Sequence, residues 1–187
     1  MRIVLLLFVT CSYLSVAAQN GRPPAFDSLL VAARVGVFEP LSEHYRTERL
    51  FDNEVQLFDY RLRSKPDDLE IRFLVLPYDS TDARTHIPHV ETYRTVMNIA
   101  VNDENEYVAE RNLRQQDMDR MNAEWAIEYF YRPKLEFSRR YEFARTLAIY
   151  REGHGLVFVF MLFDDADNPA LDMMYDLVRF GREERIY

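Results

Sequence analysis

Cysteine is almost absent from this chain. Its single example, Cys11, sits in an apolar leader. Once that leader is removed no disulfide can form, even in an oxidising compartment, and thiol catalysis is excluded. Lysine is nearly as scarce: Lys65 and Lys134 are the only lysines among 23 basic residues, and the rest are arginine. Codon bias is the simpler source of that imbalance. The other is a surface network of guanidinium forks paired with carboxylates. Only five glycines are present, and none forms a phosphate-cradling loop. Positive charge is short as well. A balance of 23 Lys+Arg against 31 Asp+Glu, net charge −8, argues against nucleic acid as the partner, because phosphate surfaces select basic faces. Beyond the leader no apolar run is long enough to span a membrane, so no transmembrane segment is expected in the mature chain.

What is present begins with an export signal. Met1-Arg2 supplies a short positive start, Ile3 to Val9 is unbroken apolar sequence, and Val16-Ala17-Ala18 precedes Gln19. Small residues at the last and third-last positions suit signal peptidase, so 1–18 reads as a signal peptide cleaved near Ala18 and the product as periplasmic or secreted. A lipoprotein signal acylated at Cys11 is the competing reading. It is disfavoured because Val9-Thr10 stand where small residues belong. Residues 19–187 then form a single globular domain. At 48% hydrophobic and 29% charged, the chain has enough apolar sequence for an ordinary core.

Residues 19–24 read as a flexible lead. Phe26, Leu29, Leu30 and Ala33 follow helical spacing, and Gly36 is expected to end that helix. Residues 55–64 and 69–77 flank Lys65-Pro66-Asp67-Asp68, a turn-forming set that predicts a hairpin. Pairing Ser64 with Leu69 sets Leu62 against Ile71, Tyr60 against Phe73 and Phe58 against Val75, an apolar face. The other face places Arg63 opposite Glu70 and Asp59 diagonal to Arg72. Pro88 is expected to open a helix with Val90, Tyr93, Val96, Met97, Ala100 and Val101 on its buried face. Residues 107–122 hold helical pieces around Leu113, Met118 and Met121. Trp125, Ile127, Tyr129 and Tyr131 share one strand face, and Pro133 stops that strand. Residues 141–150 form the next, turning at Glu152-Gly153-His154-Gly155. Every residue from Leu156 to Phe163 is apolar, which requires a strand covered on both faces. Asn168-Pro169 caps and opens a last helix with Leu171, Met174, Leu177 and Val178 inward, ending at Gly181. The expected fold class is α/β (α+β), a three-layer α/β/α sandwich with a largely antiparallel central sheet.

Three stretches carry a resemblance. Asn122-Ala123-Glu124-Trp125 leads into a strand, Leu147-Ala148-Ile149-Tyr150-Arg151-Glu152-Gly153-His154-Gly155 forms a hairpin, and Leu162-Phe163-Asp164-Asp165 precedes a terminal helix. In element order over about residues 54–180 the chain resembles the PsbP-like superfamily of small α/β/α sandwiches. That resemblance implies a binding or assembly role and assigns no catalytic residue.

The chemistry-bearing residues form three groups. His86 and His89 make an H-x-x-H beside Asp79 and Asp82, where two imidazoles could share zinc if Asp79, Asp82, His44 or His154 supplied a third ligand. Ile87-Pro88 between the histidines puts the pair partly on a loop and spoils the helical H-E-x-x-H geometry. Asp164, Asp165, Asp167 and Asn168 offer hard oxygens for calcium, but Pro169 stands where a ligand is needed, and strand stop plus helix cap is the simpler role. No G-x-S-x-G is present. The aromatics Trp125, Tyr129, Tyr131, Tyr141 and Tyr150 interleave with Arg132, Arg139, Arg140 and Arg145. Most of these rings are expected in the core, with the arginines serving Glu128, Glu136 and Glu142. The remainder is an interface around residues 131–141, where Pro133 and Lys134 are expected on an exposed loop: Tyr131, Arg132, Lys134, Arg139, Arg140 and Tyr141, residue types that anchor contacts. The expected function is therefore an exported, non-enzymatic binding or assembly protein of the cell envelope, without a cofactor, whose partner is an envelope protein or glycan. The alternative is an exported metal-dependent hydrolase using His86 and His89, and a structural subunit of a larger complex is a third possibility.

Overall fold

The structure, a computed structural model, describes residues 21–40, 44–51, 55–104 and 106–181; the leader lies outside them. In chain order the elements are helix α1 (Pro24–Ala32), strands β1 (Val35–Val37), β2 (Tyr45–Thr47), β3 (Tyr60–Ser64) and β4 (Leu69–Pro77), a single 3-10 turn (Ala83–Thr85), helix α2 (Pro88–Ile99), strand β5 (Ala109–Asn112), helix α3 (Gln115–Met121), strands β6 (Trp125–Tyr131), β7 (Phe143–Arg151) and β8 (Gly155–Phe163), a longer 3-10 helix (Pro169–Asp176) and strand β9 (Val178–Phe180). Among the described residues, seven strands form one sheet in the order β2-β3-β4-β8-β7-β6-β5, and β1 pairs with β9 apart from it. Every pairing is antiparallel. The fold is of the mixed α/β class with a large antiparallel sheet.

The all-apolar strand β8 lies mid-sheet, flanked along its full length by β4 and β7. Its side chains alternate between two core clusters. Val157, Val159, Met161 and Phe163 join Phe26 and Leu30 of α1, Met121 of α3, Leu171 and Met174 of the 3-10 helix, and Val178 and Phe180 of β9. Leu156, Phe158, Phe160 and Leu162 join Val96 and Ile99 of α2 with Phe137 and Tyr141 from the segment before β7. Period-two alternation sends successive side chains to opposite faces. Burying each large one contributes about 1.5–3 kcal/mol, against about 1–2 kcal/mol for ordering its backbone. A strand apolar on both faces is thus stable only in this central position.

The hairpin β3–β4 has the expected register, Ser64 with Leu69, Leu62 with Ile71, Tyr60 with Phe73 and Arg63 with Glu70. One expectation about it fails. The strand begins at Tyr60, not at residue 55, because Asp59 breaks the ladder: its amide donates to Phe73 O and its carboxylate accepts from the Val75 amide. Arg63 stands opposite Glu70 as expected, while the bonds to Glu70 come from Arg61 and Arg72.

Elsewhere the short elements differ from the sequence reading. Helix α1 ends at Ala32, and Gly36 lies inside β1. On α2 the buried residues include Thr92, Thr95, Val96 and Ile99, whereas Val90 and Tyr93 are exposed; two threonines stand on the face an apolar count assigns elsewhere. Residues 107–122 contribute a strand, β5, as well as the helix α3. The last helix is a 3-10 helix followed by β9. Leu171, Met174 and Leu177 recur every three residues, which fits the 3.0-residue turn, and Val178 and Phe180 then alternate inward around an exposed Arg179.

Asn168 caps the 3-10 helix as expected, its Oδ1 accepting from the Ala170 amide at 2.9 Å. Its Nδ2 also donates to Asp67 O in the hairpin turn at 2.7 Å. Asn168→Ala removes both bonds and is expected to cost about 1–2 kcal/mol in urea unfolding. Asn168→Asp keeps the cap acceptor and loses the donor to the turn, and should fall between alanine and the native residue.

Candidate anion-binding site

The site starts from the face of β3–β4 that points away from Tyr60 and Leu62. Alternation puts Arg61 and Arg63 there from β3, with Glu70 and Arg72 from β4. Arg61 faces Arg72 across the ladder and Arg63 faces Glu70. Three guanidinium groups on so small a patch repel one another unless an anion lies between them. Glu70 provides it. Its Oε2 accepts from Arg61 at 2.6 Å and its Oε1 from Arg72 Nε at 2.7 Å. Burial works to raise the pKa of Glu70, but the hydrogen bond from Arg61 and the charges of both arginines overcome it and hold the carboxyl below its ordinary value.

Arg72 is 2% exposed. Its guanidinium lies 4.5 Å from the Phe137 ring centroid, 4.7 Å from Phe58 and 5.1 Å from Phe51. Burial lowers its pKa, and Glu70 opposes that shift. Its NH1 donates to Phe137 O at 2.8 Å, which pins the segment after β6 onto the hairpin. That segment turns on itself, the Phe137 and Ser138 amides donating to Lys134 O, and the Tyr141 amide donates to Ser138 Oγ. Lys134 ties the segment to the end of α2 through its amide to Ile99 O and its Nζ to Asn98 O.

The hairpin and the pinned segment enclose a cavity of about 450 Å³, inside the range of about 300–1,000 Å³ typical of small-ligand pockets. Its lining holds Arg61, Arg63, Arg72, Arg139 and Arg140 against Glu70 and Glu136. The cavity is therefore cationic in a chain whose net charge is −8. Arg140 is held by Asp68 at 2.7 Å and lies over the Tyr141 ring. Arg63 and Arg139 make no ion pair or hydrogen bond among the described residues. The Nε atoms of Arg61 and Arg63 and the hydroxyl of Tyr141 are buried without a hydrogen-bond partner. Burial raises the pKa of Tyr141, so its hydroxyl keeps a proton to donate.

Of the expected interface residues, Arg139, Arg140 and Tyr141 meet in this cavity, though Tyr141 is buried and so is no exposed anchor. Tyr131 is a core residue, 1% exposed, with its hydroxyl 2.6 Å from Thr146 Oγ1. Arg132 is paired with Glu106 and Glu142. Lys134 is spent on the Asn98 carbonyl, and Pro133 is buried and bridged to Ala100 rather than exposed. Sequence reasoning missed Arg61, Arg63, Arg72 and Glu70 as site residues. The available signal was the hairpin register, which by itself puts three arginines and one glutamate on one face.

Most of the metal candidates hold local contacts. Asp79 Oδ1 accepts from the Thr81 amide and hydroxyl, and both oxygens of Asp82 accept from Arg84. His86 Nε2 lies 3.1 Å from Asp79 O, and its ring stands edge-on to Tyr78. His89 is exposed in the first turn of α2. His154 is buried against Phe180, with Nδ1 at 3.1 Å from Glu152 O. Among the described residues no three His, Cys, Asp or Glu side chains are grouped to hold a metal ion. In the acidic loop, Asp164 Oδ1 accepts from the Glu142 amide, and Asp165 Oδ1 from the Asp167 amide. No helix among the described residues is long and apolar enough to cross a membrane.

Comparison with protein-family models, curated proteins and solved structures finds no match for this chain.

Proposed function

We propose that this chain is an exported, non-enzymatic binding protein of the cell envelope, folded as a three-layer α/β/α sandwich of the PsbP-like kind, that holds an acidic ligand in the arginine-lined cavity. The observation that carries the reading is the pair of guanidinium groups, Arg63 and Arg139, that have no partner among the described residues and line one cavity with the orphaned Tyr141 hydroxyl. Arginine Nε atoms can only donate, so the cavity is complementary to an occupant rich in acceptors. Arginine forks match carboxylate and other oxyanions with two parallel bonds. The excess cationic charge makes binding favourable without any bond being broken, and the carboxylate nearest the floor, Glu70, is already held by two arginines and is a poor general base. Helices and the residue 133–141 segment covering the two faces of the sheet support the layered arrangement, and the apolar leader at 1–18 supports export.

The test is calorimetric titration of the purified protein with acetate, phosphate and octanoate at low ionic strength. Saturable binding of at least one acid with a dissociation constant on the order of 1 mM or tighter is expected, weakening as salt screens the arginines. The Arg63→Ala/Arg139→Ala protein should remain folded, because neither side chain holds an internal bond, and should lose at least tenfold in affinity. No saturable heat with any of the three acids would sink the proposal.

A further inference from the structure

We infer that the cavity takes a monocarboxylic acid carrying an apolar body, an acyl chain or an aryl ring, in preference to a compact inorganic oxyanion. This rests on the acid-binding reading above and adds the ligand class.

The cavity has two chemically different parts. One is the donor set of Arg61, Arg63, Arg139 and Tyr141. The other is apolar and lies within the same lining: Leu135, 71% exposed, and Phe51, 42% exposed. Leu135 stands out by its exposure, because it sits between Lys134 and Glu136 in a segment whose other large apolar side chains, Phe137 and Tyr141, are buried. An isolated exposed leucine needs no explanation. This one lines a cavity beside unpaired cations, and so does the Phe51 ring, which already carries the Arg61 and Arg72 guanidinium groups at 5.0 and 5.1 Å.

Size separates the ligand classes. A lone sulfate or phosphate would occupy a small part of about 450 Å³ and leave Leu135 and Phe51 in water. A carboxylate with several carbons attached can place its oxygens on the guanidinium forks while its carbon body covers the two apolar side chains. Each methylene removed from water strengthens binding about fourfold, so an acyl chain that lays several of them against Leu135 and Phe51 gains well over tenfold on acetate, which carries the same charge.

Calorimetric titration with octanoate, acetate and inorganic phosphate, on the native protein, Leu135→Ser and Arg63→Ala/Arg139→Ala, tests this. Octanoate is expected to bind at least tenfold more tightly than acetate or phosphate. In L135S the octanoate-to-acetate ratio should shrink by about fivefold, and in the double arginine variant octanoate should lose at least tenfold. Equal affinities for octanoate and acetate, or tighter binding of phosphate, would overturn the apolar-body inference and leave the acid-binding reading standing. Octanoate binding that survives loss of both arginines would overturn it too, by placing the acid elsewhere. If none of the three acids binds, the reading beneath it fails with it.

Discussion

Gly155→Ala is expected to destabilise the protein by more than about 3 kcal/mol, a large share of the roughly 5–15 kcal/mol that holds a domain folded. Gly155 opens β8 at a φ of +125°, where a side chain is strained whatever the space around it. Here there is also no space. A Cβ would come to 2.2 Å from Leu76 O and 2.8 Å from the Tyr78 amide nitrogen, both backbone atoms of the adjoining chain. Neither can move without opening the end of the β4–β8 ladder, where Gly155 pairs with Pro77 and the Tyr78 amide donates to His154 O. Gly153, two residues earlier, is the control. Its φ is +68°, but nothing lies within 4 Å of the added atom, so Gly153→Ala should cost only the left-handed penalty of about 1–2 kcal/mol. Urea unfolding of both variants checks the contrast. Equal losses would show that the strand end yields and that the clash does not decide the effect.

Glu70→Ala is expected to cost about 3–5 kcal/mol at neutral pH, the loss typical when one partner of a buried ion pair is removed. Arg72, 2% exposed in the native protein, would lose its principal counter-charge, and Arg61 would lose its bond of 2.6 Å. Aromatic faces around Arg72 from Phe51, Phe58 and Phe137 compensate in part, since each cation–π contact contributes only about 0.5–2 kcal/mol. The pH dependence has a definite sign. The folded pKa of Glu70 is lowered, so its contribution is fully present above the unfolded value near about 4.3 and disappears as pH falls through the folded value. The native protein should therefore lose stability below about pH 4 more steeply than Glu70→Ala does. Replacing both partners, Glu70→Leu with Arg72→Met, should be milder than Glu70→Ala alone, because no orphan charge remains at Arg72. Urea unfolding at pH 7 and pH 3 measures all three. An alanine variant within 1 kcal/mol of native at pH 7, or one with an unchanged acid slope, would contradict the account.

Parts of the fold that depend on local pattern were readable in advance. The register of β3–β4 followed from a turn and a two-residue period, the start of α2 from Pro88, and the cap at Asn168 from its position before Pro169. Strand β8 belongs mid-sheet because a strand apolar on both faces must be covered on both. The parts that failed depend on distant partners. Strands β1 and β9 are three residues each and are strands only because they pair with one another across most of the chain. Strand β5 is exposed throughout and has no hydrophobic period to read. The candidate site divides in the same way. Arg139, Arg140 and Tyr141 stood out as an arginine–aromatic cluster, while Arg61, Arg63 and Arg72 looked like ordinary cross-strand charges.

The central strand, the hairpin register and the arginine excess on one hairpin face follow from the order of residues alone, because alternation and turn chemistry act over a few neighbouring positions. Packing of the layers sets the rest: Glu70 serves Arg61 and Arg72 and leaves Arg63 without a partner among the described residues. It alone brought the segment carrying Arg139 and Tyr141 against that face. Long-range ties hold it there: the bond from Arg72 to Phe137 O across 65 residues, the ion pair of Arg140 with Asp68, and three rings packed on one buried guanidinium. Contacts at that separation are set by how layers pack, which no local pattern of residues encodes.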